Sequence, residues 1–163
     1  MAQDNAIYIV PVSLQEANNY LAEHIRQYQP MHGCKFSVGC ALDGKLVGAV
    51  IVGRCRDDGQ TLQIDRIYTT GGRTAYGMLY GASARAAQAL GYWRIIASLR
   101  SGRPDSALRA AGWARMEDGG KQASNSLRYE RLLMMRRRWR RGDHEGYQNL
   151  RAPGAGCPRG PVY

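Results

Sequence analysis

One stretch decides most of what this chain can fold into. It begins with the strand-like "TLQIDRIYT" (61–69) and turns at Gly71-Gly72. A helix rich in small residues then runs to Leu90, and the buried-strand pattern "WRIIASL" (93–99) follows. A strand, a helix and a second strand in that order make a right-handed crossover, so the two strands lie parallel in one sheet. Gly91 stands where a left-handed helix end is wanted. The glycine turn admits two readings. It simply relaxes a tight reversal, or it leaves the amides of a helix start bare for an anion, with Arg73 beside them.

The segments before this unit connect differently. "AIYIVPV" (6–12) has β-forming residues and closes near Pro11. Ser13 and Glu16 have the spacing of a capping box. The spacing of Leu14, Ala17, Tyr20, Leu21 and Ile25 predicts a helix to about Gln29, with Pro30 as its stop. "KFSVGCAL" and "KLVGAVIVGR" flank Asp43-Gly44, a two-residue hairpin signal, and Asp57-Asp58-Gly59 turns the chain into residues 61–69. Later, "SALRAAGW" reads as a short helix closed by Gly112, with Asp105 or Ser106 as its cap. "WARM" and "SLRYERLL" read as a last antiparallel pair. The predicted order is β-α-β-β-β-α-β-α-β-β, an α/β fold with a mixed, mostly antiparallel central sheet and helices on both faces.

Of the 163 residues 44% are apolar, enough for one core without staples. The net charge is +10 and lies largely at one end: from Arg128 onward nine Arg face three Asp or Glu, so +6 sits in the last 36 residues. We expect a folded domain over 1–133 and a basic, flexible tail over 134–163, where apolar content is too low for a core. In that tail Arg136, Arg137, Arg138, Arg140 and Arg141 surround Trp139. This combination can track a nucleic-acid backbone and stack on a base, or simply be a solvated run of charge. No run of residues suits a membrane span, and there is no secretory pattern. Cys34, Cys40, Cys55 and Cys157 match no zinc spacing. The expectation is a cytoplasmic protein with free thiols, no metal and no membrane partner.

The element order, with "LGYWRII" and "LRAAGW" in place, resembles the GNAT family of acyl-CoA-dependent N-acyltransferases over roughly residues 6–133. More narrowly, "EANNYLAEHIRQYQP", "KFSVG", "MLYGASARAAQALGY" and "SALRAAGW" resemble a small phage- and prophage-associated set of GNAT-like proteins. The GNAT-like Mom-type DNA-modification proteins of phages offer a functional analogy. The resemblance implies acetyl-CoA or another acyl-CoA as co-substrate and an amine as acceptor. That acceptor would be macromolecular, and a DNA base protected from restriction is the sharpest version. The resemblance also admits a homodimer and a bacterial host cell as the setting.

Carried onto this chain, the pyrophosphate turn falls on Gly71, Gly72, Arg73, Thr74, Ala75, Tyr76 and Gly77, with one of the usual glycines kept. Ile67, Tyr68 and Thr69 would offer backbone groups to the pantetheine arm where the fourth and fifth strands splay. Ser101 falls where many members carry Asn or Ser near the cofactor. Asp65 and Arg66 stand mid-strand, where an ion pair is the structural reading and a role at the cleft the catalytic one. By strict alternation Leu62, Ile64, Arg66 and Tyr68 share one face, and Gln63, Asp65, Ile67 and Thr69 the other. Histidine is the side chain that ordinarily changes charge near neutrality, so His24 is the natural base candidate, although a surface histidine would look the same. The tyrosine that many members use as general acid falls at Leu108. That departure keeps a rival open: a GNAT-shaped module without catalysis that binds nucleic acid or a host protein.

Overall fold

The computed structural model describes residues 6–56, 59–117 and 126–133. The predicted residues 136–141, the tail over 134–163 and the turn at Asp57-Asp58 lie outside or partly outside these. The elements are β1 (Tyr8–Pro11), α1 (Leu14–His24), β2 (Phe36–Leu42), β3 (Lys45–Arg54), β4 (Thr61–Thr69), α2 (Gly72–Ala89), β5 (Arg94–Arg100), α3 (Ser106–Ala110), β6 (Ala114–Arg115) and β7 (Ser126–Leu132). The order is the one the sequence predicts.

The strands form one sheet in the order β1-β2-β3-β4-β5-β7-β6. Neighbours pair antiparallel except β4 and β5, which are joined by α2 and run parallel. The hairpin between β2 and β3 turns on Asp43 (φ 50°) and Gly44 (φ 76°), the left-handed pair that a tight two-residue loop requires.

Two cores hold helices to opposite faces of the sheet. Against one face, α2 and α3 bury Leu79, Ala84 and Leu108 on Val50, Val52, Leu62 and Ile95. Against the other, Ala17, Tyr20 and Leu21 of α1 pack on Ala49 and Ile51. Alternation along β3 therefore sends one set of side chains to each helix layer. The small residues of α2, with Gly81, Ala82, Ser83, Ala84 and Ala87 buried, let the helix lie close to the strands.

α1 begins as expected. The Glu16 amide donates to Ser13 Oγ (3.2 Å), and the Ser13 amide donates to Glu16 Oε2 (2.7 Å). It ends five residues before the expected Gln29. Ile25 is already extended (φ −109°, ψ 116°), and Gln27 takes φ 58°, so the turn at 25–28 and not Pro30 stops the helix. The predicted capping of α3 is also corrected. Asp105 occupies the N-cap position without bonding the helix amides, and Ser106 is the first helical residue. The Asp105 carboxylate instead accepts from Tyr129 OH and Arg109 Nε (both 2.8 Å), tying α3 to β7. Among the described residues no helix is long and apolar enough to cross a membrane.

Candidate functional site

The site is organised by an irregularity in β4. Ile51 pairs with Arg66, yet the next residue of β3, Val52, pairs with Ile64. Asp65 is the extra residue of a β-bulge, and everything beyond it is shifted by one side of the sheet. Leu62, Ile64 and Ile67 pack into the α2-side core, while Tyr68 joins the α1-side core. Thr69, two residues past Ile67, shares the α2 side. This corrects the face assignment expected from strict alternation.

At the same point β4 and β5 part. Their pairing covers Thr61–Ile64 and Arg94–Ala97, whereas β4 continues to Thr69 and β5 to Arg100. The β4 edge from Asp65 onward thus faces β5 without strand pairing. Ile67, Tyr68 and Thr69 lie along this unpaired stretch.

The opened edge leads to the start of α2. Thr69 Oγ1 donates to the Val47 carbonyl (2.6 Å) and accepts from the Gly71 amide (2.9 Å), which fixes the turn. Gly72 has φ 69°, a region costly for other residues, with open space around its α-carbon. No side chain caps the helix, and its first turn carries no acid. Its first amides, Gly72 to Thr74 among them, have no carbonyl inside the helix to bond. Ala75 is fully buried, and the half-buried Tyr76 stacks on Tyr80 (ring centroids 6.3 Å apart), so these two bear on the core.

Beside this helix start lies an open cavity of about 740 Å³ between α2 and α3. Arg73, Thr74 and Gly77, three of the residues carried onto the pyrophosphate turn, line it together with Gly81, Arg85 and Arg131. Its charged residues are all cationic, a field that favours phosphate. Arg131 Nη1 donates to the Ala111 carbonyl (2.6 Å), which holds that guanidinium at the rim. A signal for part of this wall was in the sequence: Arg73, Gly77, Gly81 and Arg85 recur every four residues and share one helix face. Ser101 sits in the exposed turn after β5 and lines neither this cavity nor the smaller one on the opposite face.

On the α1 side, His24 stands between two tyrosines, with ring centroids 4.3 Å from Tyr20 and 5.5 Å from Tyr68. His24 Nδ1 lies 2.8 Å from the Tyr20 carbonyl, an acceptor, so Nδ1 carries the proton and Nε2 the lone pair of the neutral ring. The Tyr20 hydroxyl is buried; it approaches Thr70 but lacks the geometry of a hydrogen bond. Burial pushes its pKa up. The loop after α1 is pinned by Asn18. Its Nδ2 donates to the Met31 carbonyl (2.9 Å), and its Oδ1 accepts from Tyr28 OH (2.6 Å) and the Met31 amide (2.9 Å). His24, His32, Cys34 and Cys40 do not gather into a metal-holding group among the described residues.

Asp65 and Arg66 do not form the expected ion pair. Arg66 is exposed and its Nη1 donates to the Asp65 backbone carbonyl (2.8 Å). Burial pushes the Asp65 carboxyl above the usual carboxylate range, and the nearby Arg66 charge offsets this in part. Leu108, where many GNAT members have a tyrosine, is 1% exposed and sealed in the core.

No family model and no curated protein matches the chain. Solved structures do. An N-acetyltransferase from Staphylococcus aureus Mu50 is 16% identical, with a TM-score of 0.59 over 79% of this chain and 99% of its own. The ribosomal-protein-S18-alanine N-acetyltransferase of Escherichia coli is 9% identical, with a TM-score of 0.58 over 80% and 96%. A GNAT superfamily phosphinothricin acetyltransferase from Sinorhizobium meliloti, solved with AcCoA, is 13% identical, with a TM-score of 0.57 over 78% and 88%. At these identities what is shared is architecture: this chain has the GNAT acetyltransferase fold.

Proposed function

We propose that the protein is an acyl-CoA-dependent N-acyltransferase. The observation that carries this reading is the sequence of features along one strand. β4 bulges at Asp65, loses β5 at Ile64, and ends at an uncapped helix start beside a cationic cavity. The amides of Gly72 to Thr74 and the guanidinium of Arg73 suit a diphosphate, and Arg85 and Arg131 suit further phosphate charge. Ile67, Tyr68 and Thr69 lie on the strand edge that an amide-bearing arm would pair with. Acyl-CoA, when bound, supplies a thioester carbonyl activated toward amines.

The remaining work falls to the α1 side. Nε2 of His24 is the free nitrogen of a ring oriented by the Tyr20 carbonyl and held against Tyr68, and it accepts a proton from the acceptor amine. Tyr20 and Tyr68 keep the ring from turning. Backbone donors on the unpaired β4 edge polarise the carbonyl.

Isothermal titration with acetyl-CoA tests the reading; absence of binding at millimolar ligand would remove it. A second reading, a non-catalytic module of the same fold, draws on buried Leu108, which offers no proton to a departing thiolate. Acetyl-CoA binding without thioester consumption over a broad amine panel would favour that reading. A nucleic-acid acceptor draws on the +6 of the last 36 residues. Its test is duplex-DNA affinity against salt, where deletion of 134–163 should flatten the slope.

A further inference from the structure

The bulge that opens the donor side also builds a second opening on the opposite face of the sheet. A Cβ at Gly53 would collide with the Asp65 carboxylate, so that carboxylate lies across β3 over Gly53, where no side chain stands in its way. Gly53 pairs with Gln63 and shares the α1 side with Ile51. Two strands away, Arg128 pairs with Ser98, one place from the Tyr129–Ala97 pair that points into the α2-side core. Arg128 therefore projects to the same face as Asp65. Arg54, Arg56, Gln63, Asp65 and Arg128 line an opening of about 290 Å³, next to the point where β4 and β5 separate.

Its charges are arranged unusually. Among the described residues three guanidiniums and one carboxylate line the opening, and no ion pair joins Asp65 to any of the three arginines. A half-buried carboxylate whose burial the exposed Arg66 charge offsets only in part is costly. A ligand with both charges, spaced to match, satisfies each at once. The volume, at the lower end for small-molecule sites, suits a ligand of amino-acid size.

We propose that this opening binds a small amine carrying a carboxylate or phosphate a few bonds from its nitrogen. Asp65 reads its ammonium; Arg54, Arg56 and Arg128 read its anionic end. That this guest is the acceptor rests on the N-acyltransferase reading, in which its nitrogen passes from Asp65 to His24 before transfer; the binding itself does not rest on it.

The test is calorimetric titration of the full chain, without acyl-CoA, using γ-aminobutyrate and phosphoethanolamine. Butyrate and propylamine serve as the half-molecules of the first, and ethyl phosphate and ethanolamine as those of the second. At least one zwitterion should bind about tenfold or more tightly than either of its halves, and the better of the two identifies the anion. Asp65→Asn should abolish the advantage over the anionic half, and Arg128→Met the advantage over the amine half. Gly53→Ala, which displaces the carboxylate while leaving every charge in place, should act like Asp65→Asn. Equal binding of halves and zwitterions, or no binding at millimolar concentration, overturns the proposal. Acetyl-CoA titration of the same sample judges the transferase reading separately, so either can fail alone.

Discussion

The two faces of β4 are built on different principles. Toward α2 the strand leads to a place made of backbone: bare amides, a glycine at φ 69°, and a helix face cleared by small residues. Toward α1 it leads to a place made of side chains: His24 between Tyr20 and Tyr68, and Asp65 across from separated arginines. A backbone site recognises what many ligands share, a phosphate, whereas a side-chain site can be particular. In the transferase reading the common donor would use the first and the individual acceptor the second.

The comparison can be broken by substitutions confined to one face. The largest effect should come from His24→Ala, which removes the oriented nitrogen; kcat should fall about 10²- to 10³-fold while acetyl-CoA affinity by calorimetry stays unchanged. A loss of acetyl-CoA binding instead would mean that the two faces are not separate. Gly72→Val should do the reverse. A β-branched residue at that φ costs on the order of 1–3 kcal/mol and distorts the helix start, so the Kd for acetyl-CoA should rise roughly tenfold or more. Arg85→Gln is a finer probe of the same face. Its rim charge should be worth less than about 1 kcal/mol, and titrations at two salt concentrations should find the difference shrinking at high salt.

The smallest effect is one of stability, and its sign separates two aspartates. Burial raises the pKa of Asp65, so the folded state holds its proton more tightly than the unfolded chain. Its contribution therefore weakens stability as pH rises past the ordinary aspartate value, and Asp65→Asn should raise the thermal midpoint at neutral pH. Asp105 is the opposite case. The hydrogen bond from Tyr129, followed by that from Arg109, lowers its pKa. Its contribution is present above the ordinary aspartate value and disappears on acidification through the lowered one, so Asp105→Asn should lower the neutral midpoint. Melting curves from pH 3 to 7 for both variants would show whether Asp65 is held in place at the fold's expense.

What the sequence announced follows the same division. Hairpin glycines, the capping box and the crossover are local signals, and they placed all ten elements in order. The turn and helix face on the α2 side were legible because Gly71, Gly72 and Arg73 are adjacent in the chain, and Arg85 shares a readable stripe with Arg73. The α1 side was not. One inserted residue at Asp65 reverses which neighbours share a face, and nothing in "TLQIDRIYT" marks it except, across the sheet, the missing side chain of Gly53. Arg128 comes to the same opening as Asp65 only through the register of β7 on β5, a long-range pairing that periodicity cannot supply. The early end of α1 escaped for a related reason: Pro30 looked like the stop, but the turn at 25–28 preceded it.

The three hydrogen bonds of Asn18 join residues thirteen and ten positions downstream back onto the first helix. They make the helix and the segment after it a single mechanical part. If that part tilts when a guest arrives, Tyr28 and Met31 must travel with His24, and a change at Asn18 would uncouple the wall from the ring without touching either.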